Sequence, residues 1–249
     1  PSGKTCRVRD LHSHGVAQAN VAQGQRAALN VSGIDKDEID RGSELATPGY
    51  LQPSRIIDAR IECLASYPRP PRSSSTVRLE VGTTEVPVRV ILYGVDELAP
   101  GAWAFAQLRC GEPITTTHGQ RFILRDPSAL HTIGGGVVLR PVARRKRRDA
   151  VDEVAALERL ESKDAIERAQ EVLRTAAFAT LTDLQLCARA GVELEEVPKL
   201  LADMDYKKRR VPVYGTDVRI VPAVIADLTH RLGGWLERFH RTHPDQPGR

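Results

Sequence analysis

From Arg55 to Pro141 the chain alternates apolar and polar residues in short runs, and that period of two sets what the region can become. Ile57, Ala59 and Ile61 alternate with Asp58, Arg60 and Glu62; Val77, Leu79 and Val81 repeat the pattern; Val86 to Leu92 follows as a β-branched run. Proline and glycine recur between the runs, at Pro68 to Pro71, Gly82, Gly94, Pro100-Gly101, Pro113 and Gly119. Short strands punctuated in this way predict a closed barrel or a sandwich. Residues 1–48 carry the same signature more thinly. Cys6-Arg7-Val8-Arg9 alternates, Val16 to Asn20 does so weakly, and Ala27, Leu29 and Val31 mark a further strand. Gly24-Gln25-Arg26 opens that strand, and an acidic loop, Ile39-Asp40-Arg41-Gly42, closes on a glycine after it. The same shape returns at Gly119-Gln120-Arg121-Phe122-Ile123-Leu124-Arg125-Asp126, again with an arginine directly after a glycine turn. Pro48-Gly49 and Pro53 mark a break between the two β-regions.

At Asp149 the period changes to that of a helix: Val154, Leu157 and Leu160, then Ile166, Ala169, Val172 and Leu173. Thr182-Asp183-Leu184-Gln185 fits a capping box, which predicts a helix from Asp183 to Ala190 ending at Gly191. A second helix is expected from about Glu195 to Asp203. Two short strands, Val211 to Tyr214 and Val218 to Val221, would be joined by Gly215-Thr216-Asp217. That order of elements is a winged helix. A last helix is expected from Val224 to about His240, closed by His243-Pro244.

Charge separates the two parts. Residues 1–148 carry 21 lysines and arginines against 14 carboxylates, net +7, whereas residues 149–249 carry 15 against 18, net −3. Only the first part suits a polyanion. Arg144-Arg145-Lys146-Arg147-Arg148 lies at the change of composition, either as a solvated linker or as a strap that touches phosphates. The four cysteines, Cys6, Cys63, Cys110 and Cys187, are far apart and contain no C-x-x-C pair, which speaks against a zinc site and a disulfide framework. No apolar run approaches the ~20 residues of a membrane span, and the N-terminus has no signal-like segment. A cytoplasmic protein with reduced thiols is the expectation.

Two glycine motifs are decoys. Gly3-Lys4-Thr5 is the closing triplet of a phosphate-binding loop, but a strand-like segment follows it instead of a helix. Gly134-Gly135-Gly136 runs into Val137-Val138-Leu139, so a bulge or tight sheet corner explains it. His12 and His14 at alternate strand positions could ligate a metal only with a third ligand, and a surface pair is the plainer reading. His131 reads as a structural histidine.

Taken together, Arg7-Val8-Arg9-Asp10-Leu11-His12-Ser13-His14-Gly15, Gly24-Gln25-Arg26-Ala27-Ala28-Leu29-Asn30 and Ile39-Asp40-Arg41-Gly42 resemble the bacterial selenocysteine-specific elongation factor. Ala106-Gln107-Leu108-Arg109, Arg121-Phe122-Ile123-Leu124-Arg125-Asp126 and His131-Thr132-Ile133-Gly134-Gly135-Gly136 extend the likeness, which spans nearly the whole chain. The resemblance implies a mainly β plus α chain: two tandem elongation-factor-type β-barrels, the first truncated, followed by a winged-helix domain. The corresponding boundaries are 1–50 for part of the second domain, 51–143 for the third, 144–148 for a basic linker, 149–223 for the winged helix and 224–249 for a helix leading onward.

The resemblance also implies a role and its residues. The chain would be a fragment, the tRNA-binding and linker portion of a factor that delivers selenocysteinyl-tRNA to the ribosome at recoded UGA codons. It would have no chemistry and bind no cofactor or metal itself; GTP and magnesium would belong to an absent N-terminal GTPase domain, and the mRNA hairpin to an absent C-terminal winged helix. A monomer is expected. Arg26 would line the aminoacyl pocket, where a fixed guanidinium pairs with a selenolate better than with a serine hydroxyl. Arg7 and Arg9 would share a strand face toward the acceptor end, with a solvated face as the rival reading. Arg121 and Arg125 would touch the tRNA arm, unless Arg125 pairs with Asp126 or another carboxylate.

The alternative from another class is a winged-helix transcription regulator with a β-barrel sensor. Its second helix should be basic, yet this one carries Glu195, Glu196 and Asp203 with Lys199 as its sole cation. Lys207-Lys208-Arg209-Arg210 could touch RNA from the approach to the wing, or serve as a spacer.

Overall fold

The computed structural model describes residues 3–128, 131–146, 151–211 and 216–243. Arg147, Arg148, residues 212–214 of the expected strand Val211 to Tyr214, Gly215 of the expected turn and Pro244 lie outside the described residues, as do the side chains of Lys207 to Arg210.

Three strands between Arg7 and Ser32 form an open sheet. β1 (Arg7–Ser13) turns through His14-Gly15 into β2 (Val16–Ala17), both turn residues having positive φ, and β3 (Ala28–Ser32) pairs with the other edge of β1. Among the described residues no side chain of this sheet is buried; Val8 is 50% and Leu29 42% exposed. The apolar alternation read from the sequence is therefore present but has no second layer over it. The loop that follows the sheet is held by the next unit. Gly42 N donates to Thr83 Oγ1 at 3.1 Å, and Thr84 Oγ1 donates to Gly42 O at 3.1 Å. Thr115 Oγ1 donates to Glu44 Oε2 at 2.7 Å, which fastens the acidic loop to the next unit.

That unit is a closed antiparallel barrel. Its strands are β4 (Pro53–Cys63), β5 (Thr76–Val81), β6 (Thr84–Leu92), β7 (Trp103–Thr115), β8 (Arg121–Arg125) and β9 (Thr132–Arg140), joined edge to edge in the order β4-β7-β6-β5-β8-β9. Ile57, Ala59, Ile61, Leu79, Val88, Leu108 and Leu124 point inward and are almost fully buried, as the period of two requires. Gly134, Gly135 and Gly136 lie within β9, where it runs against both β4 and β8. A methyl group on Gly134 would come 1.9 Å from Glu62 O, and one on Gly135 2.6 Å from Phe122 O. Close backbone approach explains the run, and the strand's register shifts at Asp58/Ala59 and Leu124/Arg125 supply the corner.

Beyond the barrel come α1 (Val151–Glu161), α2 (Ala165–Ala176), α3 (Asp183–Ala190), a 3-10 turn (Leu194–Glu196) and α4 (Val197–Asp203). The capping box of α3 is formed: Gln185 N donates to Thr182 Oγ1 at 3.2 Å and Thr182 N to Gln185 Oε1 at 3.1 Å. Gly191 ends that helix in the left-handed region at φ 63°. A two-stranded ribbon follows, β10 (Lys207–Val211) with β11 (Thr216–Ile220), then α5 (Pro222–Thr242). The ribbon corrects the sequence reading: the basic run is itself the first strand, which begins at Lys207 instead of Val211, and the second strand begins at Thr216 instead of Val218.

The helices do not sit apart from the barrel. Tyr93, Phe105 and Leu139 face outward from the barrel wall and join Leu157, Leu160, Leu173, Leu186 and Val197 in one second core. This is why residues 104 to 108 of β7 are buried without a break: one face packs inside the barrel and the other under the helices.

Candidate nucleic-acid interface

Arg26 stands just before β3 and is exposed. Gln25 N donates to Ala22 O at 3.1 Å, and Ala22 N donates to Gln25 Oε1 at 2.8 Å, so the glutamine side chain locks the turn. Ser13 Oγ then donates to Arg26 O at 2.9 Å. The backbone is held on both sides while the guanidinium points to solvent, with no carboxylate partner among the described residues. The glycine-glutamine-arginine motif thus builds a presented cation.

Arg7 begins β1 opposite Ser32 and is exposed. Val8 pairs with Val31 and Asp10 with Asn30, which leaves Arg9 as the extra residue of a β-bulge. The strict alternation expected to place Arg7 and Arg9 on one face is broken there. Arg26 lies at the His12 end of the sheet and Arg7 at the Ser32 end, roughly 17 Å of strand apart. His14 occupies the turn beyond β1, so the expected His12–His14 strand face does not exist. Among the described residues no group of three His, Cys, Asp or Glu side chains is placed to hold a metal.

Arg121 and Arg125 lie on the outward face of β8 with Ile123, which is 47% exposed, while Phe122 and Leu124 point into the barrel. Arg121 is exposed, and Arg125 forms an ion pair with Glu80 of β5 at 3.4 Å. Of the two readings for Arg125, the structural pairing is present, with Glu80 as a partner across the strands. His131 is exposed and contributes its carbonyl, which accepts from Asp126 N at 3.0 Å; the expected structural role rests on its backbone. Lys4 of the decoy triplet pairs with Glu38, ahead of β1.

The sequence reading missed a buried polar cluster between barrel and helices. Asp58 (0% exposed) is flanked in register by Gln107 on β7 and Arg140 on β9. Arg140 Nη1 donates to Asp58 Oδ2 at 2.6 Å and to Glu153 Oε2 of α1 at 2.7 Å. Lys146 closes on Glu153 at 2.5 Å, and Gln107 Nε2 donates to Asp58 Oδ1 at 3.0 Å. Burial pushes the Asp58 carboxyl up, against the pull of Arg140. Burial also raises Glu153, but Lys146 and Arg140 outweigh it and hold that carboxyl below the usual range. Each outward polar residue looked solvated in isolation; the unbroken apolar run around Phe105 was the signal that this face is covered. Chemically the cluster is a clamp, with every charge answered by another. The buried thiols offer no nucleophile either: burial raises Cys63 and Cys187 and pushes Cys110 up to about 12.

The described residues contain no helix long and apolar enough to cross a membrane. Residues 58–145, which take in the barrel from Asp58 of β4 onward, match the family described as selenocysteine-specific elongation factor, beta-barrel domain. The chain is 31% identical over all 249 residues to a selenocysteine-specific elongation factor of Desulfomicrobium baculatum, and it spans 39% of that protein's length. Neither match favours a transcription regulator. A barrel with this pattern of strands, aligned along its length with a factor of that kind, places the chain in the selenocysteine-specific elongation factor family.

Proposed function

We propose that the chain is the tRNA-binding and linker portion of a factor that brings selenocysteinyl-tRNA to the ribosome at recoded UGA codons. The observation that carries this reading is the similarity along the full chain to an elongation factor of that name. In this reading the open sheet of β1, β2 and β3 is part of an elongation-factor second domain, and the closed barrel is the third. The run from α3 through β11 is a winged helix that acts as a spacer, since Glu193, Glu195, Glu196 and Asp203 would repel phosphates. GTP and magnesium would be bound, and GTP hydrolysed, by a part of the protein outside this chain, and the mRNA hairpin read by another; the factor would work as a monomer in the cytoplasm.

Arg26 is the residue on which selectivity rests. A selenol is ionised near neutral pH, and an unneutralised guanidinium favours the selenolate over a neutral hydroxyl. In the full-length protein, Arg26→Ala is expected to weaken selenocysteinyl-tRNA binding at least about tenfold more than seryl-tRNA binding. Equilibrium binding of the two charged tRNAs checks this, and an equal loss for both would remove Arg26 from the selective role.

A further inference from the structure

Two pairs of arginines oppose each other across neighbouring strands of the barrel, and they are treated differently. Arg78 of β5 faces Arg125 of β8, and each has a carboxylate, Glu85 and Glu80 respectively. Arg89 of β6 faces Arg109 of β7 in register, and neither has a carboxylate partner among the described residues. Like charges directly opposite on a sheet are unfavourable. These two are instead pinned by neutral acceptors. Arg89 Nε donates to Ser74 O at 3.3 Å, Arg109 Nε to Gln107 Oε1 at 3.0 Å and Arg109 Nη2 to Lys146 O at 2.8 Å.

A third cation is brought alongside. Gln107 Nε2 donates to Arg144 O at 3.1 Å and Lys146 N to Gln107 Oε1 at 3.3 Å, so the segment after β9 is strapped across β7. Arg145, between those anchors, is exposed. Burial, then Arg145 and Arg89, push the Arg109 guanidinium below its ordinary value, although Tyr93 and Asp58 pull the other way. The exposed neighbours on this face, Pro87 and Gly111, are small and pack against each other, leaving the row open to close approach.

We infer that Arg89, Arg109 and Arg145 form a binding site for the phosphate backbone of an RNA duplex. Arg89 and Arg109, pinned on neighbouring strands at ~5 Å, with the exposed Arg145 beside them, match a linear polyanion, and the N–H donors they leave free can take phosphate oxygens. No aromatic side chain stands at Pro87, Gln107 or Gly111 to stack an unpaired base, so the face suits a duplex rather than a single strand. The choice of RNA rests on the proposed function. The site goes beyond it, because it lies on a barrel face that neither Arg26 nor β8 forms and is indifferent to the aminoacyl group.

The test measures fluorescence anisotropy of a 12-base-pair RNA duplex with the 249-residue chain across a potassium chloride series. Arg89→Gln with Arg109→Gln should lower the slope of log affinity against log salt by about two and weaken binding at least about tenfold. Arg145→Gln should lower the slope by about one, and covers the case in which the double variant fails to fold. Arg72→Gln, whose guanidinium is bonded to Glu97 at 2.6 Å, should change neither quantity, and nor should Arg26→Ala. An unchanged slope in the first two variants overturns the site, and so does an equal fall with Arg72→Gln. Inorganic phosphate displacing the duplex at equal phosphate concentration would make it a single-anion site, and a poly-glutamate peptide binding as tightly as the duplex would make it a protein-docking site; either result also overturns it.

Discussion

A methyl group on Gly136 would sit 2.1 Å from Arg60 O and 2.7 Å from Phe122 Cζ. The first of these is backbone of an adjacent strand, which cannot yield without opening the barrel wall. Gly136→Ala is therefore expected to destabilise the chain by about 2–3 kcal/mol. Gly233→Ala, where nothing lies within 4 Å on α5, should be neutral or slightly stabilising. Urea unfolding of both variants checks the pair, and equal effects would refute the crowding argument. At this scale a good deal could be read in advance. The residues after the glycine run identified it as sheet, and Arg26 is as open as its motif implied. The bulge at Arg9 was hidden, because an extra residue in a strand leaves the one-letter alternation looking intact. The clamp on Asp58 was hidden as well, since its partners Arg140 and Glu153 are far away in sequence and meet only when the barrel closes.

Helix ends proved more legible than ribbon ends. Thr182 and Gln185 cap α3 reciprocally and Gly191 terminates it, so both limits followed from local chemistry. Thr182→Ala should cost about 1 kcal/mol, read from the thermal unfolding of the chain, because an N-terminal amide of α3 loses its acceptor; a change within a few tenths would show that water replaces the cap. β10 was misplaced for a different reason. Lysine and arginine have weak strand preference, and a two-stranded ribbon is fixed by the pairing of Lys207 with Ile220 and Val211 with Thr216, which no local rule anticipates. The basic segment after β9 repeats the lesson. Its side chains suggested a solvated linker, yet its carbonyls at Arg144 and Lys146 are what β7 holds.

For the molecule as a whole, the junction of barrel and helices carries a titratable latch. His118, in the turn between β7 and β8, donates its backbone amide to Ala188 O at 2.8 Å, and its Nε2 lies 2.7 Å from Leu160 O. Burial, with Arg168 nearby, pushes its pKa below the ordinary value, although the Leu160 carbonyl pulls the other way. The unfolded state therefore binds the proton more readily than the folded one. Stability from this residue is fully present above the unfolded pKa of about 6.5 and is lost as pH falls below it toward the folded value. The melting temperature should fall between about pH 6.5 and 5, and His118→Gln should flatten that part of the profile; an unchanged profile in the variant would show that His118 is not the latch. The sequence announced two architectures, a strand-rich front and a helical rear, because the hydrophobic period changes at Asp149. Their fusion was not announced, since Tyr93, Phe105 and Leu139 looked like ordinary wall residues until a helix lay over them. That fusion has a mechanical meaning. Helices that share a core with the barrel's own flank have no hinge between them, so a displacement imposed on α1 is handed to β9, as through a strut.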